Sequence, residues 1–531
     1  MIEWFHFSRI TSALLNFLII LQIIKDRKKE GELQLDSNYK KKIVQSVPQT
    51  GFFGHPKGLF TLFFTEFWER FSYYGMRAIL LFYMYYEVSK GGLGLDQGTA
   101  ASIMAIYGSL VYMSGIIGGW LADRLLGTSR TVFYGGVLIM LGHIILALPA
   151  GVTALFVSMG FIVIGTGLLK PNVSSVVGDM YSDEDPRRDS GFSIFYMGIN
   201  AGGLLAPLII GTIGQQYNFH LGFSLAAIGM FLGLVVFVVT KKKNLGLAGT
   251  YVPNPLTGEE KKKVFSRLGI GAVVIVILGA VGITTGLLTI ERFIFMVSIF
   301  GIIIPAVYFF VMYRSPKTSE VEQSRLLAYI PLFIAAMMFW AIQEQGSIIL
   351  ARYADERTQL SFAGIELQSS WFQSLNPLFI VMLAPVFAWL WVKLGNRQPS
   401  TPKKFSLGLL FAGLSFIVMI VPAYVNGTES LVNPMWLVLS FFLVVLGELC
   451  LSPVGLSATT KLAPSAFSAQ TMSLWFLSNA SAQAINAQIV RFYKPETEII
   501  YFGVIGGISI ILGLILYLVS TRIHGMMKGV N

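Results

Sequence analysis

The sequence predicts an all-α polytopic membrane protein. Its 531 residues are 54% hydrophobic and only 13% charged, whereas charged residues make up roughly a quarter of an ordinary soluble protein. Many apolar runs reach the ~20 residues that a helix needs to cross a bilayer. These runs are continuous, while a transmembrane β-barrel would show short alternating segments. We therefore expect a bundle of helices that cross the lipid bilayer.

The apolar runs predict twelve core helices and an extra pair in the middle of the chain. The first six lie at about 57–87, 98–122, 130–150, 153–179, 190–213 and 219–240. After a basic stretch from Lys241 to Lys263, the extra pair lies at about 267–288 and 291–313. The last six lie at about 326–353, 367–393, 404–425, 432–459, 467–492 and 499–522.

The net charge of +11 is concentrated in alternate loops. Lys and Arg gather in the connections on one side, and the opposite loops, such as "PAGVT" and "NGTESLVN", hold almost none. Because positive residues accumulate in cytoplasmic loops, both ends of the core should lie in the cytoplasm. The orientation of the chain in the membrane explains the excess of Lys and Arg better than nucleic-acid binding does, since the chain has no soluble basic domain.

Two six-helix halves joined by a long cytoplasmic segment predict the major facilitator architecture, in which substrate binds between the halves near the midplane. The predicted division is an N-terminal extension 1–56, a first bundle 57–240, a linker with the extra pair 241–325, a second bundle 326–523 and a tail 524–531. The extension contains a short apolar run, Ile10 to Ile24. It could be an interfacial helix, an extra span or sequence upstream of the usual start.

Four ionisable groups stand inside the first predicted span, in "EFWERFSYYGMR". At ~100° per residue they share one arc of ~140° with two tyrosines. Charges inside spanning helices are costly and usually functional. Two glutamates beside one arginine cannot both be equally compensated, so one should bind a proton near neutral pH. The members of this polar stripe are Glu66, Glu69, Arg70, Tyr73, Tyr74 and Arg77.

Further polar residues stand inside other predicted spans. Lys170 lies in the fourth span and Asn200 in the fifth, where a structural hydrogen bond is a serious alternative. Glu344 and Glu448 lie in the second half, where a lone carboxylate must be paired or protonated. A cavity between the halves would then have cationic and anionic walls, which suit a small zwitterion. Weaker candidates, all common in helical cores, are Tyr112, Asn376 and Trp475.

Several motifs resemble those of the bacterial proton-dependent oligopeptide transporters of the major facilitator superfamily. "EFWERFSYYG" matches the family's Glu-x-x-Glu-Arg-Phe-x-Tyr-Tyr-Gly motif, and "FYMGINAGG" matches its Phe-Tyr-x-x-Ile-Asn-x-Gly motif. "FWAIQEQGS" is similar to its seventh-helix motif. "GGWLADRLLGTSR" resembles the superfamily's cytoplasmic loop, in which Asp123 and Arg124 can pair across two helices. The extra central pair is typical of the bacterial members.

The resemblance implies a role for each matching position. Glu66, Glu69 and Arg70 would couple the proton, and Arg77 with Lys170 would hold the peptide carboxylate. The peptide amino terminus would meet Asn200, Asn376 and Glu448. Glu344 would take a proton and close the outer side with Arg77, and Lys170 with Glu448 would close the cytoplasmic side. Side-chain pockets would be lined by Tyr73, Tyr74, Tyr112 and Trp475.

We therefore expect a monomeric, proton-coupled symporter of di- and tripeptides in a bacterial cell membrane, with the proton as coupling ion and no cofactor or metal. One rival is a relative that carries nitrate or another small anion, but Glu448 would have no role in binding an anion. Another rival is a membrane sensor, which would not need a full set of proton-site carboxylates. No metal cluster, nucleophile triad or nucleotide loop indicates an enzyme.

Overall fold

The computed structural model describes residues 37–182, 185–252, 255–362 and 364–530. Regular structure in these ranges is helical, apart from a short hairpin in which strand β1 (Ser361–Phe362) pairs antiparallel with β2 (Ile365–Glu366). Eleven spans among the described helices are long and apolar enough to cross a membrane. The prediction of an all-α polytopic membrane protein is confirmed. The apolar run Ile10 to Ile24 lies outside the described residues.

The first helix lies in the predicted N-terminal extension, and the next seven span the predicted first half. A π-helical turn at Pro207–Gly211 joins two of them, α6 and α7, into one span. The bounds are α1 Ser37–Ser46, α2 Gly58–Tyr85, α3 Gln97–Leu121, α4 Thr128–Ala147, α5 Gly151–Asp179, α6 Arg188–Ala206, α7 Thr212–Gln216 and α8 Phe219–Asn244.

The central pair and the second half follow. The central helices are α9 Gly258–Thr284 and α10 Ile290–Arg314. The later helices are α11 Glu320–Gln343, α12 Ile349–Glu356, α13 Leu375–Leu394, α14 Thr401–Ile417, α15 Ile420–Asn426, α16 Met435–Leu462, α17 Ser468–Ile489 and α18 Glu498–Met526. Each predicted span therefore coincides with one long helix, or with helices joined by a short turn.

Two predicted helix boundaries were wrong in an informative way. The first helix of the central pair begins at Gly258, well before the predicted start at 267, because Thr257 and Glu260 form a capping box that satisfies free N–H groups at a helix start. The predicted span 326–353 is also interrupted, since α11 ends at Gln343 and a 3-10 turn, Glu344–Ser347, precedes α12. The interruption places Glu344 at a break in the helix.

Close helix packing brings the spans together. Within the predicted first half, α2 packs against α6 and α8, and within the second, α14 packs against α16 and α18. At the contact of α3 with α5, a Cβ on Gly118 would lie 1.8 Å from the Gly167 carbonyl oxygen, so the backbones touch only because both residues are glycines. Contacts of α3 with α17 and of α6 with α13 join the predicted halves. The domain boundaries themselves stay a prediction.

Candidate functional site

A cavity of about 1140 Å³, including the open space at its mouth, lies between helices of the two predicted halves. On one side α2, α3 and α6 line it, and on the other α13, α16 and the turn after α11 do. Seven of the residues singled out in the sequence lie on its walls: Tyr74, Arg77, Tyr112, Asn200, Glu344, Asn376 and Glu448. The cavity therefore carries charge of both signs inside the membrane.

The polar stripe of α2 begins with a compact group of three charges. Arg70 places its Nε 3.0 Å from Glu66 Oε1, and it also contacts Glu69 Oε2. All three side chains are buried. Glu66 Oε2, Glu69 Oε1 and Arg70 Nη2 have no hydrogen-bond partner among the described residues. One guanidinium thus serves two carboxylates, an arrangement in which a proton on either carboxylate relieves the repulsion between them.

Further along α2, Arg77 reaches the second half of the chain. Its Nη2 donates a hydrogen bond of 2.5 Å to Glu344 Oε2, and both side chains are less than a tenth exposed. Glu344 also accepts hydrogen bonds from Tyr112 Oη at 3.3 Å, Asn479 Nδ2 at 3.0 Å and Gln483 Nε2 at 2.8 Å. The carboxylate is therefore held by donors from three helices, α2, α3 and α17.

Glu448 on α16 has a different environment. Its Oε2 accepts hydrogen bonds from Asn376 Nδ2 at 3.2 Å and from Gln343 Nε2 at 3.4 Å, and both donors are neutral. Within the described part of the chain, no Lys, Arg or His side chain lies within ion-pair distance of it. Lys170, its expected gate partner, instead places its ammonium 4.3 Å from the centre of the Tyr112 ring. The structure does not bring this pair together.

The remaining predicted residues take separate positions. Asn200 donates to the Tyr196 carbonyl oxygen of its own helix at 2.9 Å, while its side chain borders the cavity. The rings of Tyr73 and Tyr74 lie 5.4 and 5.7 Å from the Arg70 guanidinium carbon. Trp475 is buried and does not line the cavity.

The loop motif that the sequence predicts to be cytoplasmic follows α3. Asp123 and Arg124 lie in a π-helical turn, Ala122–Leu126. Arg124 Nη2 lies 3.9 Å from Glu260 Oε1 at the start of α9, and the Leu256 N–H donates to the Arg124 carbonyl oxygen. The arginine of the motif thus contacts the segment that leads into the central pair.

A set of hydrogen bonds near the C-terminal end of α2 joins the halves and was missed in the sequence. Tyr85 and Tyr86 both donate to Asp355 on α12, each at 2.7 Å. Close by, Gln97 donates to Glu356 at 2.5 Å. Positive-inside topology predicts that this end faces outward. The structure is therefore a conformation closed on its predicted outer side.

Two more residues of the site, Asn479 and Gln483, were also missed. A signal for them exists, because Asn479, Gln483 and Asn486 follow one another at helical spacing in an unusually polar span, "SLWFLSNASAQAINAQ". Helical spacing places these three residues on one face of α17, just as it places the charges of α2 on one face.

Comparison with known proteins shows the family to which this chain belongs. The PTR2 model, described as the POT family, matches residues 129–522. The chain is 68% identical over 488 residues to the uncharacterized transporter YclF of Bacillus subtilis (strain 168), covering 92% of this chain and 98% of that one. It is 49% identical over 488 residues to a di-/tripeptide transporter of Lactococcus lactis subsp. cremoris, covering 90% of this chain and 98% of the relative.

A solved structure gives the same answer for the fold. The crystal structure of a peptide transporter POT in complex with sulfate superposes with a TM-score of 0.91 at 73% identity, and the match covers 92% of this chain and 99% of that chain. The predicted major facilitator fold is confirmed, as is the prediction of a transporter and not an enzyme. This chain belongs to the POT family.

Proposed function

We propose that this protein is a proton-coupled symporter that imports di- and tripeptides across the bacterial cell membrane by alternating access. One observation carries the proposal: a single cavity between the halves has Arg77 on one wall and Glu448 on the other. Such a cavity suits a small zwitterion, with a carboxylate at one end and an ammonium at the other. A curated relative named as a di-/tripeptide transporter supports this choice of substrate.

The peptide amino terminus is assigned to Glu448. A buried carboxylate with two neutral donors has hydrogen bonds but no compensating positive charge. A peptide ammonium supplies that charge, and Asn200 and Asn376 supply further polar contacts. Arg77 and Lys170 hold the peptide carboxylate. Tyr74 and Tyr112, which line the cavity, form its side-chain pockets, whereas Tyr73 and Trp475 lie outside the lining in this conformation.

Gating follows from competition for the same charges. With the outer side closed, Arg77 is paired with Glu344. In the outward-open state that admits the peptide, the pair is separated, the peptide carboxylate binds Arg77 and a proton neutralises Glu344. On the cytoplasmic side Lys170 and Glu448 form the corresponding pair. Ligands that bind one state better shift the equilibrium toward it, which couples occupancy to the rocking motion.

Protons supply the energy through Glu66, Glu69 and Arg70. A proton that moves inward down ~100 mV releases about 2.3 kcal/mol from the potential alone. At ~1.4 kcal/mol per tenfold change in concentration, this supports an uphill peptide gradient of roughly fiftyfold. The proposal therefore demands accumulation and not mere equilibration.

The test is uptake of labelled dialanine into proteoliposomes with an imposed inward proton gradient. We expect accumulation above the outside concentration, and a protonophore should abolish it. Transport that only equilibrates dialanine would contradict symport, and an absence of dialanine transport with uptake of nitrate would favour the anion transporter. Liposomes without protein and the same protein without a gradient are the controls.

A further inference from the structure

Two neutral amides of α17 contact the carboxylate of the outer gate. Gln483 Nε2 lies 2.8 Å from Glu344 Oε2, and Asn479 Nδ2 lies 3.0 Å from Glu344 Oε1. The Gln483 side chain is 0% exposed and that of Asn479 is 4% exposed. Their carbonyl oxygens, Gln483 Oε1 and Asn479 Oδ1, have no partner among the described residues. Each amide therefore commits its donor end to Glu344.

An ionised carboxylate can only accept hydrogen bonds, whereas a protonated one presents an O–H. Donors directed at both oxygens of Glu344 therefore favour its ionised form, and hydrogen bonds to a charged group are stronger than those between neutral groups. The titratable groups that face or surround Glu344 come from four helices, α2, α3, α5 and α16: Tyr73, Tyr74, Arg77, Tyr112, Lys170 and Glu448.

The amides differ from Arg77 in what happens when substrate binds. In the proposed cycle Arg77 turns to the peptide carboxylate and leaves Glu344. Gln483 and Asn479 belong to the same half as Glu344, so they stay in place when the halves separate. The two amides then remain as hydrogen-bond donors that favour the ionised form of Glu344.

We propose that Gln483, together with Asn479, is a positioning residue that keeps Glu344 ionised after Arg77 has turned to the substrate. It thereby sets the pH at which the outer gate can open. This inference rests on the proposed function, because it takes Glu344 as the proton-binding residue of that gate.

A glycine on the facing helix gives an independent way to test the position of Gln483. A Cβ added to Gly108 on α3 would lie 2.6 Å from Gln483 Nε2 and 3.0 Å from its Cδ. The end of a flexible side chain would move first, so Gly108→Ala displaces the amide from Glu344 without changing either residue. Gly160 on α5 is a matched control, because a Cβ there meets nothing within 4 Å.

The experiment is the pH profile of gradient-driven dialanine uptake for wild type, Gln483→Leu, Gly108→Ala and Gly160→Ala. Uptake needs Glu344 to take a proton, so it falls as the outside pH rises. Loss of a donor to the ionised carboxylate eases protonation, and the half-maximal pH should move upward by about one unit for Gln483→Leu. Gly108→Ala should move it in the same direction by less, and Gly160→Ala should leave it in place.

The outcomes separate this inference from the proposed function. Variants that take up dialanine with an unmoved or lowered midpoint would overturn the role of Gln483 and leave symport intact. A wild type without gradient-driven uptake would overturn the proposed function, and this inference with it. Loss of folded protein in both Gln483→Leu and Gly108→Ala, seen by size-exclusion chromatography, would assign the amide a structural role instead.

Discussion

Arg77 of α2 and Glu344, at the end of α11, form a buried ion pair across 267 positions of the chain, with Nη2 and Oε2 2.5 Å apart. Removing two charges from water costs several kcal/mol per ion unless each compensates the other. The pair is therefore well placed to respond to a new charge in the cavity. Its strength in the closed state and its release by substrate can be measured separately.

We predict that removing one member of this pair destabilises the protein more than removing both. Glu344→Gln leaves the Arg77 guanidinium buried without its carboxylate, and breaking a buried pair typically costs about 3–5 kcal/mol. The double variant Arg77→Gln/Glu344→Gln should recover part of that loss, while peptide uptake stays absent. Thermal unfolding in detergent measures the stability of all four proteins of the cycle.

The matching control uses a partly exposed pair on the predicted cytoplasmic side. Hydrogen bonds from Arg187 hold the pKa of Asp185 below its usual value, so the stability this contributes is present above the unfolded pKa and is lost as pH falls through the folded one. Because this pair is only partly buried, Arg187→Gln at neutral pH should cost less than Glu344→Gln, although Arg187 also donates to Gln49 and Gly54. An additive cycle at Arg77 and Glu344 would contradict coupling in the closed state.

A second prediction separates proton coupling from peptide binding. Glu66→Gln removes a carboxylate that lies 3.0 Å from the Arg70 guanidinium and outside the lining of the cavity. We expect it to abolish gradient-driven accumulation of dialanine while it spares exchange of labelled for unlabelled dialanine. Uphill uptake at the wild-type level would remove Glu66 from the proton path. Glu69→Gln, tested beside it, shows which glutamate carries the proton.

A third prediction concerns the tyrosine contacts at Asp355. Asp355→Asn weakens two hydrogen bonds across the halves, each with a charged acceptor and worth about 1.5–3 kcal/mol. The ratio of outer-open to outer-closed molecules should rise about tenfold. Spin labels on cysteines introduced at Lys90 and Gln359, with Cys450 replaced by alanine, report the distance between the halves.

Asp96→Asn is the matched control for this measurement. Asp96 is another outer carboxylate, but it accepts hydrogen bonds from Thr99 of its own helix. Its substitution should leave the distance distribution unchanged. The same distribution in Asp355→Asn as in wild type would show that the tyrosine contacts do not hold the outer side closed.

A fourth prediction addresses the amino terminus of the peptide. Glu448→Gln keeps the size of the side chain and removes the charge that we assign to the peptide ammonium. The KM for dialanine should rise about tenfold or more, because an ion pair with the peptide ammonium is replaced by a hydrogen bond to an uncharged amide oxygen. N-acetyl-dialanine lacks the ammonium, so its weak competition should be the same in both proteins.

The exposed loop residue Glu429 supplies the control, and Glu429→Gln should leave the KM unchanged. An equal loss of affinity for dialanine and N-acetyl-dialanine in Glu448→Gln would mean that Glu448 shapes the cavity without meeting the amino terminus. In that case the anionic wall would have no role in selecting a zwitterion.

The sequence predicted the spans and the stripe of α2 because both depend on periodicity along one helix. Helical spacing alone puts Glu66, Arg70 and Arg77 on one face. The break at Glu344 was not predicted, since the proline of that span, Pro331, lies inside α11 and well before the break. It depends on how the turn Glu344–Ser347 packs between helices that are distant in the sequence.

Contacts between the two halves could not be predicted from the sequence for the same reason. Tyr85 and Asp355 are each unremarkable near a helix end, and only packing brings their side chains to 2.7 Å. Lys170 shows that a contact predicted from the sequence can depend on the conformation of the protein. The expected pair with Glu448 depends on which side of the cavity is closed, so one conformation shows Lys170 over Tyr112 instead.

We propose that each peptide enters together with protons. Measuring the proton flux that a peptide gradient drives is the direct test of this coupling. Proteoliposomes that hold a pH-sensitive dye receive outside dialanine with no initial pH gradient and with the potential clamped at zero. We expect the lumen to acidify as dialanine enters, and Glu66→Gln liposomes to stay at their starting pH. Entry of labelled dialanine into wild-type liposomes without acidification would contradict it.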